Sequence, residues 1–241
     1  MLYPFFAKTF IADSFSCQNQ KGTHKAINRF KFLGGKVSKN HRKTCWVLKC
    51  DIKKFFASIN QRTLCAILES YIPDKDILNL LNEIINSFEA YPGKGLPLGN
   101  LTSQLFCNVY MNEFDQFVKH KLRVKYYIRY ADDFVFLSDN KEYLTTLIPK
   151  ISDFLNIGLE LNLHPNKIYI KSFASGVDFL GWVHFLDHRT IRAATKRRMM
   201  RRIGENPENE TLQSYLGLLS HGNSYKLRSE VQSFYDGLEK V

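Results

Sequence analysis

The 241-residue sequence is poor in cysteine, with five at positions 17, 45, 50, 65 and 107 and no C-x-x-C pair among them. That odd, scattered set argues against a disulfide framework and a thiolate zinc site, and it fits a reducing, cytoplasmic setting. No apolar run approaches the roughly 20 residues that span a bilayer, so no membrane partner is expected. The opening Met1-Leu2-Tyr3-Pro4-Phe5-Phe6 lacks the basic region, apolar stretch and small-residue cleavage site of a signal peptide. There is no repeat, low-complexity tract or Gly/Ser linker. His24, His120, His164, His184, His188 and His221 share no ligand spacing, so no histidine is assigned to a metal.

Acid is scarce relative to base. The chain has 34 Lys and Arg against 23 Asp and Glu, a formal charge of +11. A polyanion is therefore the leading partner, with nucleic acid foremost. At 44% hydrophobic and 14% aromatic residues the chain can build a sizeable aromatic core, an ordinary globular composition and not a disordered one.

The periodicity predicts an α+β body. Trp46 to Asp51 is a short apolar run ending on an acid and reads as a strand. Asn60 caps a predicted helix over 61–71, with Leu64, Ile67, Leu68 and Tyr71 on one face. A second helix is expected over 75–88, striped by Ile77, Leu80, Leu81, Ile84 and Ile85. Tyr91 to Gly99 contains two prolines and three glycines and reads as irregular. A long helix follows over 101–121. Runs 126–130 and 134–137 flank Ala131-Asp132-Asp133 at hairpin spacing. After a helix over 141–156, runs 167–172 and 177–185 are predicted to form a second hairpin around Ala174-Ser175-Gly176. Residues 190–241 read as helical, with breaks at 204–207 and 221–223 and Gly204 as a C-cap.

Two adjacent carboxylates, Asp132 and Asp133, sit at a tight turn between apolar strands, and Asp51 closes another. A bare Asp-Asp doublet is usually only a favoured turn. Three acids at neighbouring strand ends are different, because like charges held close repel unless a cation neutralises them. All-oxygen ligation suits Mg²⁺, which keeps several waters and shares positions with substrate phosphates. Two such ions about 3.5–4 Å apart would serve phosphoryl transfer.

At these positions the chain resembles the reverse transcriptases. Asp51-Ile52-Lys53-Lys54-Phe55-Phe56 resembles their first palm motif. Gly95-Leu96-Pro97-Leu98-Gly99-Asn100-Leu101-Thr102-Ser103-Gln104 resembles the glycine-bearing motif beneath template and nucleotide. Tyr130-Ala131-Asp132-Asp133 matches Y-x-D-D, Asn166-Lys167 resembles the next motif's lysine, and Phe179-Leu180-Gly181-Trp182 resembles the primer grip. Five motifs in order over nearly the whole chain are a specific signal.

The resemblance implies a right-hand polymerase: partial fingers over 1–45, a palm over 46–188 with finger helices 60–95 inserted, and a helical thumb over 189–241. It implies an RNA-directed DNA polymerase, a nucleotidyltransferase that takes an RNA template, a DNA primer and dNTPs. Asp51, Asp132, Asp133 and the Ile52 carbonyl would hold two Mg²⁺, with Mn²⁺ as a substitute, and Lys167 would protonate pyrophosphate. Phe56 would be the steric gate against rNTPs, its neighbour Phe55 facing the core. Leu98, Gly99, Gln104 and Lys21 would line the nucleotide, with Lys25 and Arg29 as further phosphate contacts.

Leu98 and Ser103-Gln104 are similar to the enzymes of diversity-generating retroelements. Leu98 removes an amide near the nascent pair, which implies low fidelity, especially opposite template adenine. Gln18 stands where relatives usually carry Arg, and Ala57 and Asn60 where many carry Asp. The resemblance also implies a small basic accessory protein. Arg192, Lys196, Arg197, Arg198, Arg201 and Arg202 form a basic helix suited to tracking the phosphates of an A-like hybrid. Alternative readings are a group II intron-like, retron-like or phage-defence reverse transcriptase. From another class there is a non-catalytic palm that only binds RNA.

Overall fold

The described residues run from Leu2 to Leu238 of a computed structural model. In chain order they form α1 (Leu2–Phe6), α2 (Thr23–Val37), β1 (Trp46–Asp51), α3 (Phe55–Ser58), α4 (Gln61–Tyr71), α5 (Lys75–Asn86), α6 (Leu101–Gln116), β2 (Tyr127–Tyr130), β3 (Asp133–Ser138), α7 (Lys141–Leu159), β4 (Tyr169–Ser172), β5 (Val177–Phe179), β6 (Trp182–His184), β7 (Arg189–Ile191), α8 (Ala193–Glu205), α9 (Asn209–Leu219) and α10 (Tyr225–Leu238).

Local chemistry explains the helix starts. The side chain of Asn60 accepts from the Thr63 amide at 2.9 Å, Asp74 from Asp76 and Ile77, Asn100 from Thr102, and Asn140 from Tyr143. Each satisfies an amide that has no partner within its own helix. The long helix predicted to reach Lys121 keeps α-geometry only to Gln116 and ends in a π-turn, Phe117–Lys121. The stripe expected on α5 is only half used: Leu81 and Ile85 are buried, whereas Ile77 and Leu80 are exposed.

Four strands make the main sheet, in the antiparallel order β2-β3-β1-β4. Side chains alternate across it. Leu48, Cys50, Phe134 and Phe136 face a core shared with α4, α6 and α7. Val47, Ile128, Val135 and Leu137 face a second core, roofed by α2 and the hairpin β5–β6. By the same two-residue period Lys49 and Asp51 follow Val47, and Asp133 precedes Val135, on this second face. There α2 approaches so closely that a Cβ on Gly34 would sit 2.8 Å from the Phe173 ring.

Three sequence expectations are corrected. Residues 167–172 and 177–185 are not one hairpin. β4 pairs with β1, Trp46 opposite Ser172, while β5, β6 and β7 form a separate three-stranded sheet. The segment 173–176 carries the chain from one sheet to the other. Thr190 and Ile191 belong to β7, not to a helix. Gly204 lies inside α8 against Phe234, and the helix ends at Asn206. The part of the helical expectation that falls on residues 239–241 lies outside the described residues. Among the described residues no helix is long and apolar enough to cross a membrane.

His184 is buried between Phe30 and Phe179, with Nε2 at 3.2 Å from the Phe179 carbonyl. Burial pulls its pKa down to about 4. The unfolded chain therefore takes up a proton near pH 6.5 that the folded chain refuses. Stability is full above that pH and falls as pH drops toward 4. Between pH 7.5 and 5.0, urea unfolding should show a loss of about 2 kcal/mol from this group. His184→Gln should lower stability at both pH values but remove that pH-dependent portion.

Candidate active site

The pairing of β1 with β3 sets Asp51 directly opposite Asp133, and β2 sets Tyr130 opposite Asp133. The Ile52 amide donates to the Asp132 carbonyl at 3.3 Å, which joins the end of β1 to the β2–β3 turn. The turn closes on Ala131, whose φ of 54° is a left-handed conformation few non-glycine residues adopt. The three acids expected to converge thus lie at one strand end. The Asp51 carbonyl accepts from the His164 amide at 2.7 Å, which brings the Lys167 segment alongside.

Two lysines answer the carboxylates. Lys167 Nζ lies 2.9 and 3.0 Å from the two Asp51 oxygens. Lys49 Nζ lies 3.2 Å from Asp133, while the other Asp133 oxygen is buried without a hydrogen-bond partner. Burial raises the pKa of Asp133 to about 6, against the opposing pull of Lys49, and Asp51 and Asp132 push it further up. Asp132 is raised chiefly by burial; its own backbone opposes this, and Asp51 adds to it. Among the described residues no three His, Cys, Asp or Glu side chains gather as a metal cluster. The arrangement is one of acids interleaved with lysines.

The sequence profile of the family described as Reverse transcriptase (RNA-dependent DNA polymerase) matches residues 1–184. The chain belongs to the reverse transcriptase family. It is 23% identical to Protein YkfC of Escherichia coli K12 over 86% of this chain and 62% of that protein. It is 22% identical to the Putative COX1/OXI3 intron 2 protein of Saccharomyces cerevisiae, over 60% of this chain and 24% of that one. The chain thus spans less than two thirds of the length of these relatives. Among solved structures, the apo telomerase of Candida tropicalis superposes with a TM-score of 0.61 at 14% identity, over 97% of this chain and 47% of that one. The telomerase of Candida albicans, in complex with a fragment of telomeric RNA, gives 0.61 at 11% identity, over 99% and 46%. These likenesses show the right-hand polymerase fold.

Around the acids, this member of the family carries groups that sequence reading missed. Arg129 is fully buried and pairs with the fully buried Asp115 on α6, at 2.6 and 2.8 Å. The same guanidinium donates to the Ala131 carbonyl at 3.1 Å and to Ser14 Oγ at 3.1 Å, and Tyr127 donates to Asp115 at 2.8 Å. Arg129 thereby clamps the turn that carries Asp132. Tyr130, on the other face, accepts from Thr23 Oγ1 at 3.1 Å. Lys49 was readable as the residue two before Asp51 on the same face. Nothing local announces that Arg129 pairs with Asp115.

The remaining expected residues are placed unevenly. Phe55 is buried and Phe56 half-buried. The Phe56 carbonyl accepts from Leu96 at 2.9 Å and the Ile59 carbonyl from Gly95, so the 91–99 loop is tied to α3. Leu98 is 78% exposed, Gly99 turns with a φ of 84°, and Gln104 lies half-buried in the first turn of α6. Leu180 and Gly181, both at positive φ, form the two-residue tip between β5 and β6. Phe179 and Trp182 are buried and anchor that tip rather than present their rings.

Lys21 is turned inward, its ammonium caged by the carbonyls of Ile11, Ala12 and Ser14 at 2.7–3.2 Å. Lys25 bonds the Gln20 carbonyl, and Arg29 pairs with Asp13 at 2.7 Å. On α8, Thr195, Met199 and Ile203 face inward, while Arg197, Arg198, Arg201 and Arg202 are exposed. Arg192 pairs with Asp178 and Lys196 with Glu230.

Arg129→Met alone should cost about 3–5 kcal/mol in urea unfolding, because it leaves Asp115 as an uncompensated buried charge. The double variant Arg129→Met with Asp115→Leu should recover most of that loss. Additive losses in the two variants would remove the assignment of a coupled buried pair.

Proposed function

We propose that this chain performs RNA-directed DNA synthesis, adding dNTPs to a DNA primer on an RNA template. The observation that supports it most is the register that brings Asp51, Asp132 and Asp133 to one strand end within a reverse transcriptase fold. The donor set fits hard divalent cations: carboxylates whose mutual repulsion favours a cation between them, and one buried Asp133 oxygen without a partner. Asp51, Asp132 and the Ile52 carbonyl would hold two Mg²⁺, or Mn²⁺ in their place, with Asp133 beside them. Bound there, the ions would neutralise charge on the transferring phosphoryl group.

The chain's own residues supply the rest. Lys167 is half exposed and reaches the acids on a flexible stem, so it is placed to give a proton to departing pyrophosphate. Phe56, tied under the 91–99 loop, serves as the gate against a 2′-hydroxyl. Leu98, Gly99 and Gln104 flank the nucleotide. The Leu180–Gly181 tip holds the primer end on its anchors Phe179 and Trp182. The exposed arginines of α8 track the hybrid's phosphates. Residues 1–45 serve as fingers, 46–188 as palm with 60–95 inserted, and 189–241 as thumb, although β7, at the start of the thumb segment, pairs with β6 of the palm segment. Cytoplasmic action with a small basic accessory protein completes this reading.

The subtype rests on Leu98 and Ser103-Gln104, which favour a low-fidelity enzyme of a diversity-generating retroelement. Identity to a yeast intron protein favours a second reading, an intron-type enzyme.

Primer extension on a defined RNA, with products sequenced, tests these together. Magnesium-dependent incorporation should vanish in Asp132→Asn and Asp51→Asn with circular dichroism unchanged. Lys167→Gln should slow it roughly 10²- to 10⁴-fold. Leu98→Gln should lower the error rate opposite template adenine. Incorporation retained in Asp132→Asn would end the polymerase reading. Tight RNA binding with no incorporation by the wild type would favour the non-catalytic palm.

A further inference from the structure

α2 has two unlike faces. Ala26, Ile27, Phe30, Leu33 and Val37 are buried against the sheet. The opposite face opens into a cavity of about 670 Å³. Lys31, Phe32, Lys36, Lys39 and Leu186 contribute to its walls, and no carboxylate lines it. Phe32 is a large aromatic residue left 51% exposed. Lys36 Nζ and the Arg29 guanidinium lie 5.2 and 5.3 Å from its ring centroid. Among the described residues none of Lys31, Lys36 and Lys39 forms an ion pair. Lys31 reaches only a backbone oxygen, that of Asp187 at 3.1 Å, and the Asp187 carboxylate is engaged by His188.

The far wall is held in an uncommon conformation. Lys39, Asn40 and His41 have φ of 50°, 54° and 69°, three consecutive non-glycine residues in the left-handed region. Hydrogen bonds fix them there: the Asn40 amide to the Gly35 carbonyl at 2.9 Å, the His41 amide to Ser38 Oγ at 3.0 Å, and the Lys43 amide to the Ser38 carbonyl at 2.8 Å. Backbone held in sparsely populated regions clusters at ligand-holding sites.

We propose that this cavity binds unpaired RNA, one base stacking on Phe32 while Lys31, Lys36 and Lys39 hold the flanking phosphates. An exposed ring among unpaired cations is the combination by which single strands are held without sequence readout. The cavity is of small-ligand size and admits a splayed base with its phosphate rather than the flank of a duplex. An acidic protein segment would use the lysines but would leave the ring without a matching role. α2 lies between this cavity and the sheet face that carries the carboxylates, so the contact is additional to the polymerase site and does not rest on polymerase activity.

The probe is a fluorescein-labelled 12-nucleotide oligouridylate bearing one 4-thiouridine, used with the full chain. Phe32→Ala should weaken binding roughly tenfold with the salt slope unchanged. Replacing Lys31, Lys36 and Lys39 together by Gln should reduce that slope by about 2. Irradiation should crosslink the RNA to the peptide carrying residue 32, in the wild type and in Asp51→Asn alike. Extension of a primer whose RNA template is unpaired only over the few nucleotides to be copied should be unaffected by Phe32→Ala.

Unchanged affinity in Phe32→Ala, or no crosslink to this helix, would overturn the proposal. A loss of blunt-duplex affinity in Phe32→Ala as large as the loss for the oligouridylate would also overturn it. Displacement by polyglutamate as effective as by unlabelled RNA would reassign the surface to an acidic protein. Crosslinking at residue 32 in a chain that extends no primer would sink the polymerase reading and leave this one standing.

Discussion

The antiparallel register of β1 with β3 is the constraint from which the site follows, because it forces Asp51 against Asp133 at a buried strand end. Burying that strand end opposes folding, and the facing acids add to the cost: a carboxyl raised from 3.8 to about 6, chiefly by burial, ionises less readily in the folded chain. The resulting penalty is absent below pH 4, grows between pH 4 and 6, and is full above that, at most about 3 kcal/mol. Lys49 reduces it without abolishing it, while Lys167 answers Asp51. The two cations differ in mobility: Lys49 is confined to the strand, its side chain 11% exposed, whereas that of Lys167 is 53% exposed at the end of a short 3₁₀ turn. The one that can leave Asp51 is the one on the flexible stem.

What holds the strand end against this penalty is the framework behind the turn. A fully buried Arg129–Asp115 pair is weak support for stability in general, since desolvation offsets most of its attraction. Its value here is geometric. Arg129 joins α6, the 11–16 segment through Ser14, and the Ala131 carbonyl, so three parts of the chain agree on where the β2–β3 turn sits. The left-handed Ala131 is held by that agreement rather than by its own preference.

Much of this was legible in the sequence because it is local. The run Trp46 to Asp51 ends as a strand at the predicted residue, and the Asn60 cap starts α4 where expected. What failed was choice of partner. Residues 167–172 look like half of a hairpin because Ala174-Ser175-Gly176 is a plausible turn. Yet β1 offers an open edge next to Asp51, and pairing there packs the half-buried Ile170 against the core and brings Lys167 to the carboxylates. Strand partners chosen across more than a hundred residues leave no local mark. The inward turn of Lys21 is similar: its three carbonyl acceptors come from a loop whose course only the tertiary structure defines.

The C-terminal helices are joined to the rest through the same hairpin that presents Leu180 and Gly181. Trp182 occupies space next to Gly222 so tightly that a Cβ there would fall 2.0 Å from the ring, while His221 stacks on His24 at the start of α2, with centroids 3.7 Å apart. Arg189 bridges the His221 carbonyl and Asn28 of α2. The Arg192 amide bonds the Gly181 carbonyl at 3.1 Å, so α8 begins where the hairpin tip ends. The basic face of α8, the hairpin tip and α2 are thereby set relative to one another through a few close contacts. A side chain added at residue 222 must displace either the indole or the loop, and either displacement disturbs the contact by which the C-terminal helices meet this hairpin.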